Sequence, residues 1–164
     1  MVILGLDPGF ATIGFGVINY EKGKATVIDY GTIKTPKELS FPDRLLMIDK
    51  GMTQLIEKFK PDQIAIEELF FNTNITTGIN VAHARGIMLL VCTKACGGNL
   101  FEYTPLQIKQ ALTGYGRADK QQVMHMVKTL LRLDKIPRPD DAADALAVAL
   151  CHSQTNRLGG LFRI

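Results

Sequence analysis

The chain has 164 residues, of which 46% are hydrophobic and 21% are charged, and its formal net charge is +3. This balance is typical of a soluble globular domain with a core and excludes a largely disordered chain. No apolar run reaches the ~18 residues that a membrane-spanning helix needs. The chain has three cysteines, an odd number, and no two of them are spaced as a CxxC motif. We therefore expect reduced thiols in an intracellular, cytoplasmic protein.

The hydrophobic pattern predicts three strands, then a helix, a strand, a helix, a strand and further helices. The predicted strands are residues 2–6, 13–20, 25–33, 63–67 and 98–103, and the predicted helices are 42–59, 76–95, a short one from Thr104, one ending at 133, and 140–152. This order predicts an α/β fold with a five-stranded mixed sheet flanked by helices on both faces. We expect one domain over residues 1–153, followed by a tail, residues 154–164, that shows no pattern and can be disordered.

Four carboxylates are candidates for a metal site. Asp7 and Glu67 each stand where a short apolar strand ends, and Asp141 and Asp144 lie three apart in an alanine-rich helix, which places them on one face. Hard divalent cations prefer oxygen ligands of this kind.

Neighbouring acids compete with two of these candidates. Strand alternation puts Glu67 on the face of Ala65 and Glu68 on the opposite face, toward solvent, which favours Glu67. Asp140 is interpreted as the N-cap of the last helix. Helical spacing leaves Asp140 open as a site residue, because positions 140 and 144 also share a face.

The stretch from residue 104 to 139 is basic. It contains seven cationic residues and only two acids, which gives a local charge of +5. The cations are Lys109, Arg117, Lys120, Lys128, Arg132, Lys135 and Arg138, and the acids are Asp119 and Asp134. Such an excess beside an acidic cluster suits nucleic acid, although a solvated basic helix face explains it equally well.

Four blocks in chain order, GLDPG, AIEELFF, GRADKQQVMHMVKTLL and DDAADALAVALCH, resemble the RuvC family of Holliday junction resolvases. The resemblance covers about residues 2–152. It implies a ribonuclease H-like fold, a homodimer, and magnesium-dependent cutting of four-way DNA junctions in recombination and repair. It also implies cooperation with the RuvA–RuvB branch-migration complex.

Carried over by position, the resemblance implies that Asp7, Glu67, Asp141 and Asp144 are the catalytic metal ligands, and it decides for Asp141 over Asp140. The expected cofactors are two Mg²⁺ ions per subunit, with Mn²⁺ as a substitute. Two such ions about 3.5–4 Å apart stabilise both the attacking and leaving oxygens, and Asp7 is the candidate to bridge them. Lys120 is expected to neutralise phosphate charge in the transition state.

The same comparison assigns contacts with DNA. Phe70 falls on an aromatic position that wedges into the junction, and Phe71 is its neighbour. Lys109 and Lys120 resemble basic positions of the family, and Arg117 is a further DNA-binding candidate in the basic stretch. Phe10 departs from the family, in which a small residue commonly follows DPG.

A junction has two-fold symmetry, so two cuts suit a C2 dimer with one site per subunit. The best interface candidate is the helix over residues 76–95, because it carries the small residues Gly78, Ala82, Ala84 and Gly86. Packing of that helix on its own sheet explains some of these residues as well. The alternative functions are a related nuclease of the same fold that acts on RNA, a non-catalytic junction-binding module, and an actin-like nucleotide binder.

Overall fold

The structure, a computed structural model, describes residues 1–69, 75–155 and 161–164. The strands are β1 (Val2–Asp7), β2 (Thr12–Glu21), β3 (Lys24–Lys34), β4 (Gln63–Glu67) and β5 (Leu100–Tyr103). The helices are α1 (Phe41–Phe59), α2 (Ile75–Cys96), α3 (Pro105–Thr113), α4 (Lys120–Leu130) and α5 (Asp140–Thr155). Every predicted element is present in the predicted order. None of the described helices is both long and apolar enough to cross a membrane.

The five strands form one mixed sheet, as predicted, and the structure places them in the order β3-β2-β1-β4-β5. β1 runs antiparallel to β2 and parallel to β4, and β4 runs parallel to β5. Parallel neighbours end at the same edge of a sheet, so Asp7 and Glu67, the last residues of β1 and β4, lie at one edge. α1 and α2 pack on one face of the sheet, and α3, α4 and α5 pack on the other.

Helix α5 lies directly on β1 and β2 because three glycines leave room for its backbone. A Cβ atom at Gly14 would stand 2.0 Å from the carbonyl oxygen of Asp141, and one at Gly5 would stand 2.2 Å from that of Ala145. At Gly16 a Cβ would come within 2.8 Å of Leu146. The facing side of α5 is mostly alanine, fully or almost fully buried, so the helix and the sheet meet with little side-chain volume between them.

The other end of α5 is held by a buried polar network. His152 Nδ1 lies 2.7 Å from the Tyr103 hydroxyl, and His152 Nε2 lies 2.8 Å from Gln63 Oε1. Thr155 donates to the Tyr103 hydroxyl over 3.0 Å. A neutral imidazole protonated on Nε2 satisfies these contacts, and burial lowers the pKa of His152 to about 4.

The end of α4, both ends of α5 and the end of the chain differ from the sequence prediction. α4 ends three residues early, because Arg132 adopts a left-handed φ of 54° that interrupts the helix. Asp140 is not the N-cap of α5 but its first residue, since the carbonyl of Pro139 accepts from the amides of Ala142 and Ala143. α5 extends to Thr155. Residues 162–164 run along β5. The Glu102 amide donates to the Phe162 carbonyl, and Arg163 forms an isolated antiparallel β-bridge with Phe101.

We predict that Gly14→Ala destabilises the protein by about 1–3 kcal/mol, because the new methyl group overlaps the α5 backbone and the helix must move. Urea denaturation measures this change. Gly116→Ala is the control: its new methyl meets mainly Leu106, an exposed side chain that can give way, so we expect a change within about 0.5 kcal/mol. Equal stabilities of Gly14→Ala and the wild type would contradict this packing.

We predict that burial of His152 makes the protein less stable in acid. Between pH 6.5 and 4 the unfolded chain protonates this histidine while the folded protein does not. The free energy of unfolding therefore decreases as the pH is lowered, and this group accounts for a loss of about 3 kcal/mol at pH 4. Urea denaturation at pH 7 and pH 4 should show a smaller loss for His152→Gln than for the wild type. The exposed His125→Gln should behave as the wild type, and an equal loss in all three proteins would refute the prediction.

Candidate active site

Two of the four candidate acids, Asp7 and Glu67, end neighbouring strands of the sheet, and the other two, Asp141 and Asp144, lie near the start of α5. Asp7 pairs with Gly14 across the β1–β2 ladder, and the Asp141 backbone rests on Gly14. Residues paired directly across strands point to the same face, so Asp7 points toward the first turn of α5. Glu67 shares the face of Ala65, which belongs to the α5-side core. Asp144 follows Asp141 by one helical turn.

The carboxylates influence one another strongly. Burial, together with the charges of Glu67, Asp144 and Asp141, raises the pKa of Asp7 to about 8, although Lys120 opposes the shift. Burial and the charge of Asp144 raise the pKa of Glu67 to about 7. Burial also raises the pKa of Asp144 despite its bond to Lys120. The cluster thus holds more negative charge than its partly buried setting tolerates without a further cation.

Lys120 supplies part of the missing positive charge. Its Nζ donates to Asp144 Oδ2 over 3.1 Å and lies 3.4 Å from Asp140 Oδ2. Burial lowers the pKa of Lys120, but the bonds and charges of Asp144 and Asp140 outweigh burial and raise it. Lys120 is the first residue of α4, and a capping box between Asp119 and Gln122 fixes the start of that helix.

A cleft of about 260 Å³ opens beside the acids. Its lining brings together Glu67, Asp144, Lys109 and Lys120 over an apolar base of Pro105, Ile108, Val123 and Ala147. The charge of Lys109, from α3, lowers the pKa of Glu67. The cleft therefore combines acids with two cations, which suits a substrate that carries negative charge.

Arg117, the remaining described candidate for a DNA contact, does not line this cleft. Arg117 is exposed in the loop between α3 and α4 and makes no ion pair with another described residue. Phe70 and Phe71 lie outside the described residues.

The two neighbouring glutamates are separated as strand alternation requires. Glu67 interacts with the acids and with Lys109 and Lys120. The charge of Glu68 instead acts on Arg85 of α2, on the opposite side of the sheet, and the Glu68 amide donates to the Tyr103 carbonyl over 2.9 Å.

The donor set suits a hard divalent cation in its chemistry, because it offers only carboxylate oxygens and carries excess negative charge. As the side chains stand, however, no three acidic, histidine or cysteine side chains of the described ranges are grouped closely enough to hold a metal ion. Asp144 is turned to Lys120 instead. Metal binding would thus require these carboxylates to close toward one another.

Asp140, which the sequence favoured as a helix cap but left open as a site residue, lies beside the predicted acids. Its carboxylate pairs with Lys120 and with Arg138. The signal that was available is the spacing of positions 140 and 144, which places both acids on one helix face toward the same lysine.

The chain resembles known proteins along its whole length. Residues 3–152 match the family described as crossover junction endodeoxyribonuclease RuvC. The RuvC of Alkaliphilus oremlandii is 52% identical over 100% of this chain and 99% of that protein, and the RuvC of Ruminiclostridium cellulolyticum is 54% identical over 98% and 96%. A solved structure of Thermus thermophilus RuvC in complex with a Holliday junction substrate superposes with a TM-score of 0.93. That structure is 34% identical and covers 100% of this chain and 99% of its own.

These similarities show the family directly. The chain belongs to the RuvC family of crossover junction endodeoxyribonucleases. The prediction of a ribonuclease H-like fold is confirmed together with the family.

We predict that Asp7→Asn stabilises the protein when a chelator removes metal ions. The pKa of Asp7 is about 8 in the folded protein, against an ordinary value of 3.8. Above pH 3.8 the carboxyl therefore ionises more readily in the unfolded chain, which favours unfolding. Removing the charge should raise the free energy of unfolding at pH 7 by about 1 kcal/mol or more. The exposed Asp49→Asn is the control and should stay within about 0.5 kcal/mol. A less stable Asp7→Asn variant would show that the carboxylates do not repel as described.

Proposed function

We propose that this chain resolves four-way DNA junctions by hydrolysing one phosphodiester bond in each of two opposed strands. Family membership supports the substrate, because the similar Thermus thermophilus protein is described in complex with a Holliday junction. The observation that carries the chemistry is the mutual effect of Asp7, Glu67 and Asp144, which marks a partly buried carboxylate cluster beside two lysines. We assign this activity to a single domain, residues 1–153.

Asp7, Glu67, Asp141 and Asp144 would hold the divalent ions, Mg²⁺ with Mn²⁺ as a substitute and two per subunit. Bound there, the ions would lower the pKa of the attacking water and stabilise charge on the attacking and leaving oxygens. The four carboxylates would hold the ions at the strand ends, and Asp7, whose pKa is affected by the charges of all three others, is the ligand that we propose the two ions would share.

The lysines would act on the DNA phosphates. In the present arrangement Lys120 is bound to Asp144 and Asp140, and it would exchange these partners for the scissile phosphate when cations occupy the carboxylates. Its charge would then stabilise the transition state. Lys109, across the same cleft, would hold the neighbouring phosphate, and the exposed Arg117 would contact the DNA backbone farther along.

Phe70 and Phe71 would open the junction by inserting between base pairs, which replaces part of the stacking that is lost. This role comes from the family resemblance, and the two residues stand three and four positions after Glu67, the last residue of β4.

We further propose a homodimer that places one site on each of two symmetric strands. In α2, Gly78 and Ala84 are buried within the subunit, whereas Ala82 and Gly86 are exposed. Apart from the adjacent backbone of α2 itself, no atom of the described residues lies within 4 Å of a Cβ built at Gly86, so we propose this exposed edge as the place where a partner helix approaches closely. The dimer would work in the cytoplasm with the RuvA–RuvB branch-migration complex.

The direct test incubates the purified protein with an end-labelled, mobile four-way junction. We expect paired symmetric nicks on the junction only when Mg²⁺ is present, and no cutting of linear duplex or of a matched RNA junction. Cutting of RNA at an equal or higher rate would support the nuclease of the same fold that acts on RNA. Tight binding without cutting under all conditions would support a binding module.

We predict that Asp7→Asn lowers the cutting rate by at least about a hundredfold, because metal binding is lost, while junction binding in a gel-shift assay stays near that of the wild type. Glu68→Gln is the matched control: it removes an acid one residue beyond Glu67 but on the other side of the sheet, so it should cut normally. A normal rate for Asp7→Asn, or an equal loss for Glu68→Gln, would contradict the assignment of these acids.

We predict that Phe70→Ala slows cutting of an intact junction more than cutting of a junction whose centre is already unpaired. The ring would matter only where base pairs must be separated. Single-turnover rates on the two substrates measure this, and equal slowing on both would show that the ring only packs within the protein.

A further inference from the structure

The turn that follows Asp7 is tied to the end of β3 by one buried side chain. Thr35 stands directly after β3, only 4% exposed. Its hydroxyl donates to the Phe10 carbonyl over 2.6 Å, and its amide donates to the Ala11 carbonyl over 3.0 Å. Thr35 thus satisfies two successive carbonyls of the turn that joins β1 to β2.

Arg44, in α1, contacts both partners of the hydrogen bond between Thr35 and Phe10. Its Nε donates to the Thr35 hydroxyl over 3.0 Å, and its guanidinium lies 3.8 Å from the centre of the Phe10 ring. The start of α1 is itself set by Ser40, whose hydroxyl accepts from the Asp43 amide. Arg44 forms no ion pair within the described part of the chain. Its guanidinium instead contacts the Phe10 ring and the Thr35 hydroxyl.

A series of aromatic contacts connects the turn to α2. The Phe10 and Phe41 rings lie 5.4 Å apart, and Phe41 meets the His83 ring edge-on, also at 5.4 Å. Phe10 therefore joins the turn to α1 through Phe41 and Arg44, and Phe41 in turn contacts α2 through His83.

This anchoring acts on the segment that directly follows Asp7. Asp7 is the last residue of β1, and its backbone leads directly into the turn. Gly9 shows how tightly the turn is folded, since a Cβ there would stand 2.0 Å from the Thr12 carbonyl oxygen. A turn so confined transmits the position of Phe10 to Asp7.

We propose that Thr35 and Arg44 are positioning residues, which act through Phe10 to hold Asp7 where it can share a divalent cation with the other acids. The inference rests on the proposed metal site. It assigns Thr35 and Arg44 no contact with DNA, because Thr35 is buried and the planar face of Arg44 is covered by Phe10.

The test compares Thr35→Val, which keeps the shape of the side chain but removes the hydroxyl, with Thr35→Ser, which keeps the hydroxyl. Mn²⁺ binding is measured by electron paramagnetic resonance without DNA. Single-turnover cutting is measured at saturating junction, and junction affinity is measured in chelator. Asp7→Asn serves as the reference for loss of the metal site, and Lys50→Ala, an exposed change on α1, is the matched control.

We expect Thr35→Val to weaken Mn²⁺ binding and slow cutting by about tenfold each, with junction affinity unchanged, and we expect Thr35→Ser and Lys50→Ala to resemble the wild type. Arg44→Lys, which keeps the charge but loses the planar contact and the Nε donor, should show the same defect as Thr35→Val. It replaces Thr35→Val in the test if that variant does not melt cooperatively.

Wild-type Mn²⁺ affinity in Thr35→Val and Arg44→Lys would overturn the inference while leaving the metal site intact, provided that Asp7→Asn still loses Mn²⁺. A selective loss of junction affinity would overturn it in favour of a DNA contact. If Asp7→Asn binds Mn²⁺ as the wild type does, the proposed metal site itself is wrong, and the inference is wrong with it.

Discussion

The close packing of α5 on the glycines of β1 and β2 is the contact on which the rest of the site depends. Asp7 is fixed by the sheet and Asp141 and Asp144 by the helix, so their separation is set by how closely the two layers approach. Because Gly14 has no side chain, the backbone of Asp141 rests on the strand beside Asp7. The buried alanines of α5 keep the layers near one another along the helix, and His152 holds its far end to β4 and β5.

This packing has an electrostatic cost. Bringing carboxylates together in a partly buried place raises the pKa of Asp7 and Glu67 well above ordinary values, and Lys120 compensates only part of the charge. Such a setting favours added positive charge, which the proposed binding of divalent cations would supply.

Local rules of sequence identified most of the fold and the acids. Strand alternation was enough to separate Glu67 from Glu68, and helical spacing was enough to pair Asp141 with Asp144. These rules work because they depend on residues close together in the chain. The resemblance to the RuvC family resolved what spacing alone left open, namely the choice between Asp140 and Asp141.

Other features depend on contacts between distant segments and could not be read locally. Gly14 and Gly16 look like ordinary strand glycines until α5 is placed on them. Asp140 was interpreted as a cap because its partner Lys120 lies in another helix, and the contact of Phe10 with Arg44 joins a turn to a helix more than thirty residues away. The left-handed conformation of Arg132, which ends α4 early, has no marker in the sequence such as a glycine.

The central claim is that α5 brings Asp141 and Asp144 to Asp7 and Glu67 so that the four can hold divalent cations. A crystal structure of the protein soaked in Mn²⁺, with anomalous diffraction to locate the metal, tests it most directly. The account predicts anomalous density enclosed by these four carboxylates, with Lys120 displaced from Asp144. Density at other residues, or none at a saturating concentration of Mn²⁺, would contradict it.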